Sequence, residues 1–152
     1  MKKQPTMMII DDLDINLKLL YEIFKDDYKI ILATNGVEAW DKLSTEDFDI
    51  ILADLIMPEM DGFDFLKKIK NNVAFFDIPV VVTTAYDDDS YQIKALELGA
   101  ADFISKPYNP IIVKKRIANI VATANVNFYR ASMQFDGMTG LYNRESFCNK
   151  VA

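Results

Sequence analysis

The 152-residue sequence contains no histidine and only one cysteine. Without histidine, Ser-His-Asp catalysis, Cys-His catalysis and imidazole metal sites are all excluded. The lone Cys148 rules out an intrachain disulfide and a thiolate metal cluster. Any reactive site in this chain must therefore be built from carboxylates, hydroxyls, lysine and arginine, a set of groups that suits a hard cation such as Mg²⁺.

The sequence also lacks a membrane-spanning segment and an excess of positive charge. No apolar run approaches the roughly 20 residues that cross a bilayer, and the first apolar segment has only four residues, too few for a signal-peptide core. With 17 Lys and Arg against 23 Asp and Glu, the formal net charge is -6, which disfavours direct nucleic-acid binding. We therefore expect a cytoplasmic protein with no membrane contact and no direct nucleic-acid partner.

Short apolar segments alternate with helical patterns along the chain. The strand-like segments lie at residues 7–10, 28–33, 50–53, 79–85 and 102–105. Between the first two, Leu17, Leu20, Tyr21 and Phe24 have the spacing of an amphipathic helix. Five strands alternating with five helices predict an α/β fold, a doubly wound parallel (βα)5 sheet in the flavodoxin-like order 2-1-3-4-5.

Acidic residues follow two of these strands. Asp54 ends the run at 50–53, and Asp11 and Asp12 follow the run at 7–10. Taken singly, Asp54 also fits a helix or turn cap, and the other two also fit solvated loop acids. In a parallel sheet, however, both strand ends lie at one edge, where three clustered carboxylates repel each other unless a cation joins them. Together the three residues predict a divalent-metal pocket.

Two other side chains are expected at the same edge. Thr84 lies near the end of the fourth strand, although a β-branched residue there needs no functional reason. Lys106 follows the fifth strand and directly precedes Pro107. It is either a surface charge or a partner of the acids.

The segment around Asp54 resembles the phosphoacceptor segment of response-regulator receiver domains. The string Met57-Pro58-Glu59-Met60-Asp61-Gly62-Phe63 is similar to one of the more specific motifs of that family, and the resemblance covers residues 7–121. It implies that Asp54 accepts a phosphoryl group from a histidine kinase, a phosphotransfer protein or a small acyl phosphate. The chain would then be a signalling module of a two-component phosphorelay, not an enzyme.

The resemblance also implies a metal site with a defined set of ligands. Mg²⁺, or Mn²⁺ in its place, would be held directly by Asp12, Asp54 and the Ile56 backbone carbonyl, and by Asp11 through water. In the family this ion offsets the charge repulsion between the acceptor carboxylate and the incoming phosphoryl group.

Three further residues receive roles from the same resemblance. Lys106 would pair with one phosphoryl oxygen and the Thr84 hydroxyl with another, which is positioning and charge stabilisation. Phe103 stands where the family often has a Tyr or Phe whose rotation reports phosphorylation. The peptide bond between Lys106 and Pro107 is expected to be cis, as in the family.

Two other functions share parts of this pattern. An aspartate-nucleophile phosphatase is the enzyme alternative, but such enzymes use Asp-x-Asp, and Ile56 replaces the second acid. A flavin electron carrier has the same fold, but the acidic segment 11–14 would repel the flavin phosphate. The phosphoacceptor remains the favoured interpretation.

The last predicted helix continues beyond the receiver-like region. Its apolar residues, spaced 3, 4, 3 and 4 positions apart, are Val121, Ala124, Phe128, Ala131 and Phe135. This heptad spacing predicts a helical stalk at 122–135 that forms a parallel homodimer, and amphipathic packing back onto the domain is the alternative.

Residues 136–144, with the sequence Asp-Gly-Met-Thr-Gly-Leu-Tyr-Asn-Arg, resemble the opening of GGDEF-type diguanylate cyclase domains. Met138 replaces the usual leucine, and Glu145 stands where a second arginine is common. The catalytic loop of that family is absent from the chain, so this chain cannot cyclise GTP. We expect a receiver at 1–121, a stalk at 122–135, and at 136–152 the start of a GGDEF-like output domain.

Overall fold

The computed structural model describes residues 4–57, 60–85 and 89–136, with residues 125–136 described by their backbone alone. Its strands are β1 (Thr6–Ile10), β2 (Lys29–Ala33), β3 (Ile50–Asp54), β4 (Val80–Thr84) and β5 (Asp102–Ser105). The helices are α1 (Asp14–Phe24), α2 (Gly36–Lys42), α3 (Gly62–Lys70), α4 (Asp89–Glu97) and α5 (Pro110–Asp136), and a single 3-10 turn (Leu43–Thr45) follows α2.

The five strands form one parallel sheet in the order β2-β1-β3-β4-β5, which confirms the predicted fold. Strands β1, β3 and β4 are buried along their whole length because helices cover both faces of the sheet. The register places Asp54 opposite Thr83, and Thr84 opposite Ser105. The ends of β1, β3, β4 and β5 therefore meet at one edge of the sheet.

Successive residues of each strand contribute to two separate hydrophobic cores, as the two-residue period of a strand requires. On one face, Val80 and Val82 pack with side chains of α2, α3 and α4. On the other face, Val81 packs with side chains of α1 and α5. Each core thus fixes one set of helices relative to the strand ends that carry the polar residues.

Helix α5 is 27 residues long, so its backbone spans about 40 Å at 1.5 Å per residue. Asn109 caps its start by accepting hydrogen bonds from the Ile111 and Ile112 N–H groups at 3.1 and 3.2 Å. Val121 is 7% exposed and packs in the α1 and α5 core. The predicted long helix is therefore present, and the first residue of the heptad pattern belongs to the domain core.

Several sequence predictions lie outside what the structure describes. The side chains of Phe128, Ala131 and Phe135 and residues 137–152 fall outside the described part, so the stalk dimer and the GGDEF-like segment remain predictions. Pro58 and Glu59 of the loop motif lie there as well. Within the described ranges, no helix is both long enough and apolar enough to cross a membrane.

Candidate functional site

Three carboxylates converge at the sheet edge, as predicted. Asp11 and Asp12 directly follow β1, and Asp54 ends β3. Each of the three offers one carboxylate oxygen, and these oxygens all lie within 4.8 Å of one another. Asp11 and Asp54 are 0% and 5% exposed, whereas Asp12 is exposed. The cluster therefore has a buried floor and one side open to solvent.

Asp11 is held in a fixed orientation by three donors. Its Oδ1 atom accepts hydrogen bonds from the Leu13 N–H at 3.0 Å and from Asn16 Nδ2 at 3.4 Å. Its Oδ2 atom accepts a hydrogen bond from Lys106 Nζ at 3.1 Å. Asn16 was not among the residues predicted from the sequence, although a polar residue in the first turn of a helix that follows the acids was an available signal.

Lys106 connects the two buried acids. Its Nζ atom lies 3.1 Å from Asp11 Oδ2 and 3.1 Å from Asp54 Oδ1, and its side chain is 15% exposed. The backbone N–H of Lys106 donates to the Thr84 carbonyl at 2.7 Å, and the bond from Lys106 to Pro107 is cis, as the resemblance implied. The surface-charge alternative for Lys106 is therefore wrong.

The surroundings of Asp54 and Lys106 shift the pKa values of both groups. Burial, followed by the nearby Asp11 charge, raises the pKa of Asp54 to about 6, although Lys106 acts in the opposite direction. Burial lowers the pKa of Lys106, but Tyr108, Asp54 and Asp11 raise it by more, so the pKa rises overall. At neutral pH Lys106 is therefore an ammonium group, and its Nζ atom lies between two buried acids.

The loop after β3 fits closely around the backbone of Asp54. The Gly62 N–H donates to the Leu55 carbonyl at 2.8 Å, and a Cβ atom at Gly62 would lie 2.7 Å from the Asp54 carbonyl oxygen. Asp61 caps α3 by accepting a hydrogen bond from the Asp64 N–H at 2.9 Å. The Asp-Gly pair of the motif therefore has a physical reason: only glycine permits this approach.

The other predicted site residues lie around this cluster. Thr84 is buried at the end of β4, and strand alternation places its side chain on the same face as Val82. Phe103 is opposite Val82 in the register and is buried in the core on that face. Ile56 follows β3 in the loop and is 47% exposed. Thr84 and Phe103 thus share one face of the sheet.

Tyr108, like Asn16, is a residue of the site that the sequence did not predict. Tyr108 lies two residues after Lys106, between β5 and α5, and its hydroxyl oxygen is buried. Asp11, Asp54, Lys106 and Thr83 all influence its ionisation. An aromatic residue next to a proline gave no sign of these neighbours, because Asp11 and Asp54 come from distant parts of the chain.

Comparison with known proteins gives one consistent result. The model of the response regulator receiver domain family matches residues 7–118. The alkaline phosphatase synthesis transcriptional regulatory protein PhoP of Bacillus subtilis is 31% identical over 135 residues, which are 88% of this chain and 55% of PhoP. The response regulator PleD of Caulobacter vibrioides is 34% identical over 115 residues, which are 75% of this chain and 25% of PleD.

A solved structure agrees with these relatives. The signal receiver domain of a signal transduction histidine kinase from Syntrophus aciditrophicus has a TM-score of 0.73 and 29% identity, covering 78% of this chain and 91% of that one. The chain spans only 55% of the length of PhoP and 25% of that of PleD. Both curated relatives therefore contain long regions that have no counterpart in this sequence.

Proposed function

This chain belongs to the response regulator receiver domain family of two-component signalling, and we propose that it accepts a phosphoryl group on Asp54. The observation that carries the proposal is the Lys106 ammonium held 3.1 Å from Asp54 Oδ1 beside two further acids. This arrangement supplies a nucleophile, a cation for the phosphoryl charge, and ligands for a metal ion at one edge of the sheet.

The acid cluster fits Mg²⁺ or Mn²⁺. Carboxylate oxygens are the ligands these hard cations prefer, and the open side of the cluster leaves room for the water molecules that Mg²⁺ retains. We assign the metal site to Asp11, Asp12, Asp54 and the Ile56 backbone carbonyl. When bound, the ion would neutralise the repulsion between the Asp54 carboxylate and an incoming phosphate.

The proposed chemistry of acceptance uses three side chains. An Asp54 carboxylate oxygen attacks the phosphorus of a phosphohistidine, an oxygen–phosphorus bond forms, and the phosphorus–nitrogen bond breaks as the imidazole leaves. Lys106 and the Thr84 hydroxyl donate hydrogen bonds to phosphoryl oxygens. With a pKa near 6, Asp54 is ionised at neutral pH and can act as the nucleophile.

The phosphoryl donor lies outside this sequence. Residues 1–152 contain no histidine, so we propose that the phosphohistidine belongs to a histidine kinase or a phosphotransfer protein. A small acyl phosphate can replace it, because its own oxygen–phosphorus bond breaks and the carboxylate leaves as a stable anion. The chain contributes its own catalytic groups and is itself the substrate.

The response to phosphorylation is assigned to Thr84 and Phe103. Both residues lie on the sheet face that packs against α3 and α4. Movement of the Thr84 hydroxyl toward a phosphoryl group leaves space that the Phe103 ring can fill. We propose that this pair biases an equilibrium between two arrangements of the surface formed by α4, β5 and α5.

The output is proposed from the C-terminal part of the chain. The α5 backbone is continuous to Asp136, where the nine residues resembling a GGDEF-type cyclase domain begin. We propose a receiver at 1–121, a dimerising stalk at 122–135 and the start of a diguanylate cyclase domain at 136–152. A stand-alone receiver, or one with a different output domain, is the alternative.

Labelling with acetyl phosphate and Mg²⁺ tests the acceptor assignment. We expect intact-protein mass spectrometry to detect one added phosphoryl group on the wild type and none on Asp54→Ala. Asp41→Ala, which removes an exposed acid of α2, is the matched control and should be labelled like the wild type. Undiminished labelling of Asp54→Ala would contradict the proposal.

A further inference from the structure

Tyr108 has a buried hydroxyl that ring packing alone does not explain. Its ring packs against the core between α1 and α5. Its hydroxyl oxygen is buried, and no described residue forms a hydrogen bond with it. A buried hydroxyl without a partner destabilises a protein relative to phenylalanine at the same position. The tyrosine is therefore unfavourable in this state of the protein.

The surroundings of this hydroxyl are the acid cluster and Lys106. Burial raises the pKa of Tyr108 to about 12, so the group is a neutral hydroxyl that both donates and accepts hydrogen bonds at physiological pH. Thr83 lies beside it on β4, opposite Asp54, but no hydrogen bond of acceptable geometry joins the two hydroxyls.

Lys106 has to change partners when Asp54 is modified. Its ammonium has three N–H donors, and in this structure carboxylate oxygens of Asp11 and Asp54 lie at 3.1 Å from it. Under the proposed function, Lys106 turns toward a phosphoryl oxygen on Asp54. A donor released by that movement needs a new acceptor inside a largely buried site, and the Tyr108 oxygen has its lone pairs free.

We infer that Tyr108 is a positioning residue for Lys106: its hydroxyl accepts a hydrogen bond from the Lys106 ammonium when that ammonium turns from Asp11 toward a phosphoryl group on Asp54. The inference rests on the proposed function of Asp54 as the phosphoryl acceptor. The new bond orients the lysine and satisfies the buried hydroxyl in one step. Tyr108 therefore stabilises the phosphoryl-bound state and not the free state.

The substitution Tyr108→Phe tests this inference, because it removes only the hydroxyl. With beryllium fluoride and Mg²⁺ as the phosphoryl mimic, calorimetric titration should give about tenfold weaker binding, the loss expected for one hydrogen bond to a charged group. The affinity for Mg²⁺ alone should stay within about twofold of the wild type. Tyr28→Phe, which alters a buried tyrosine that packs edge-on against Phe24, is the control and should bind the mimic normally.

Two further measurements separate positioning from a structural role. The free Tyr108→Phe protein should melt at or above the wild-type temperature, whereas a hydroxyl that stabilised the fold would lower it. In a Lys106→Met background, Tyr108→Phe should cause no further loss of affinity for the mimic.

Wild-type affinity in Tyr108→Phe, or the same tenfold loss in the Lys106→Met background, would overturn the inference. In either case the acceptor role of Asp54 would stand. Failure of the wild type to bind the mimic at Asp54 would overturn the proposed function and this inference with it.

Discussion

Asp54 is a buried carboxylate whose charge is disfavoured in the folded protein. Burial and the neighbouring Asp11 raise its pKa from an ordinary value of 3.8 to about 6, so the folded state binds more protons than the unfolded state between these two pH values. Stability then falls as the pH rises through this window, and the cost is fully present above it. Asp54, the proposed acceptor, is thus ionised at neutral pH although its burial is unfavourable, and a bound cation can relieve this cost.

The substitution Asp54→Asn tests this at the scale of one residue. We compare the free energy of unfolding of Asp54→Asn with that of the wild type at two pH values. The variant should gain up to about 3 kcal/mol over the wild type between pH 4 and pH 7, because each pKa unit is worth about 1.4 kcal/mol. Denaturant unfolding in the presence of a chelator measures it without a metal contribution. A stability difference that is the same at both pH values would contradict the burial argument.

At the scale of elements, the loop from β3 to α3 couples the backbone of Asp54 to its surroundings. A Cβ atom at Gly62 would lie 2.7 Å from the Asp54 carbonyl oxygen and 2.8 Å from the Leu55 Cα atom. Because both are backbone atoms, the segment that carries the acceptor would have to move. Gly99, in the loop after α4, instead requires glycine for its positive φ of 103°.

These two glycines provide a matched pair of variants. Gly62→Ala and Gly99→Ala should each lower the free energy of unfolding by about 1–3 kcal/mol, the first through a steric clash and the second through backbone strain. Only Gly62→Ala should also slow phosphorylation by acetyl phosphate, by about tenfold or more, because it displaces the nucleophile. Equal phosphorylation rates in the two variants would contradict this account of the loop.

The elements and the acid cluster could be predicted from the sequence for a simple physical reason. Apolar runs buried on both faces give parallel strands, and the polar residues that end them, such as Asp11 and Asp54, must meet at one edge. The place of Tyr108 beside the site could not be predicted in this way. It depends on how the segment before α5 packs over the sheet, which no local pattern encodes.

At the scale of the whole molecule, α5 joins the proposed phosphoryl site to the proposed stalk. It starts next to the β5 edge, contributes Val113, Ile117 and Val121 to the core, and continues as helix to Asp136. Parallel association of two such helices would place two following cyclase domains face to face. Condensation of two GTP molecules requires such an arrangement in the family that the tail resembles.

Analytical sedimentation tests the stalk. We expect the wild type to be dimeric, or to become dimeric with beryllium fluoride and Mg²⁺, and the Phe128→Glu, Phe135→Glu double variant to stay monomeric because charges replace two seam residues. Tyr129→Glu, at a heptad position outside the predicted seam, is the control and should behave like the wild type. A wild type that stays monomeric with the mimic would contradict the dimer.

The most direct test of the central claim is to locate the modified residue chemically. After treatment with acetyl phosphate and Mg²⁺, borohydride reduction converts an aspartyl phosphate into homoserine, which peptide mass spectrometry identifies by position. We predict homoserine at position 54 alone, and its loss when Mg²⁺ is chelated or when Asp12 is replaced by alanine, because that acid belongs to the proposed metal site. Reduction at another residue, or undiminished modification of position 54 without metal, would contradict the account.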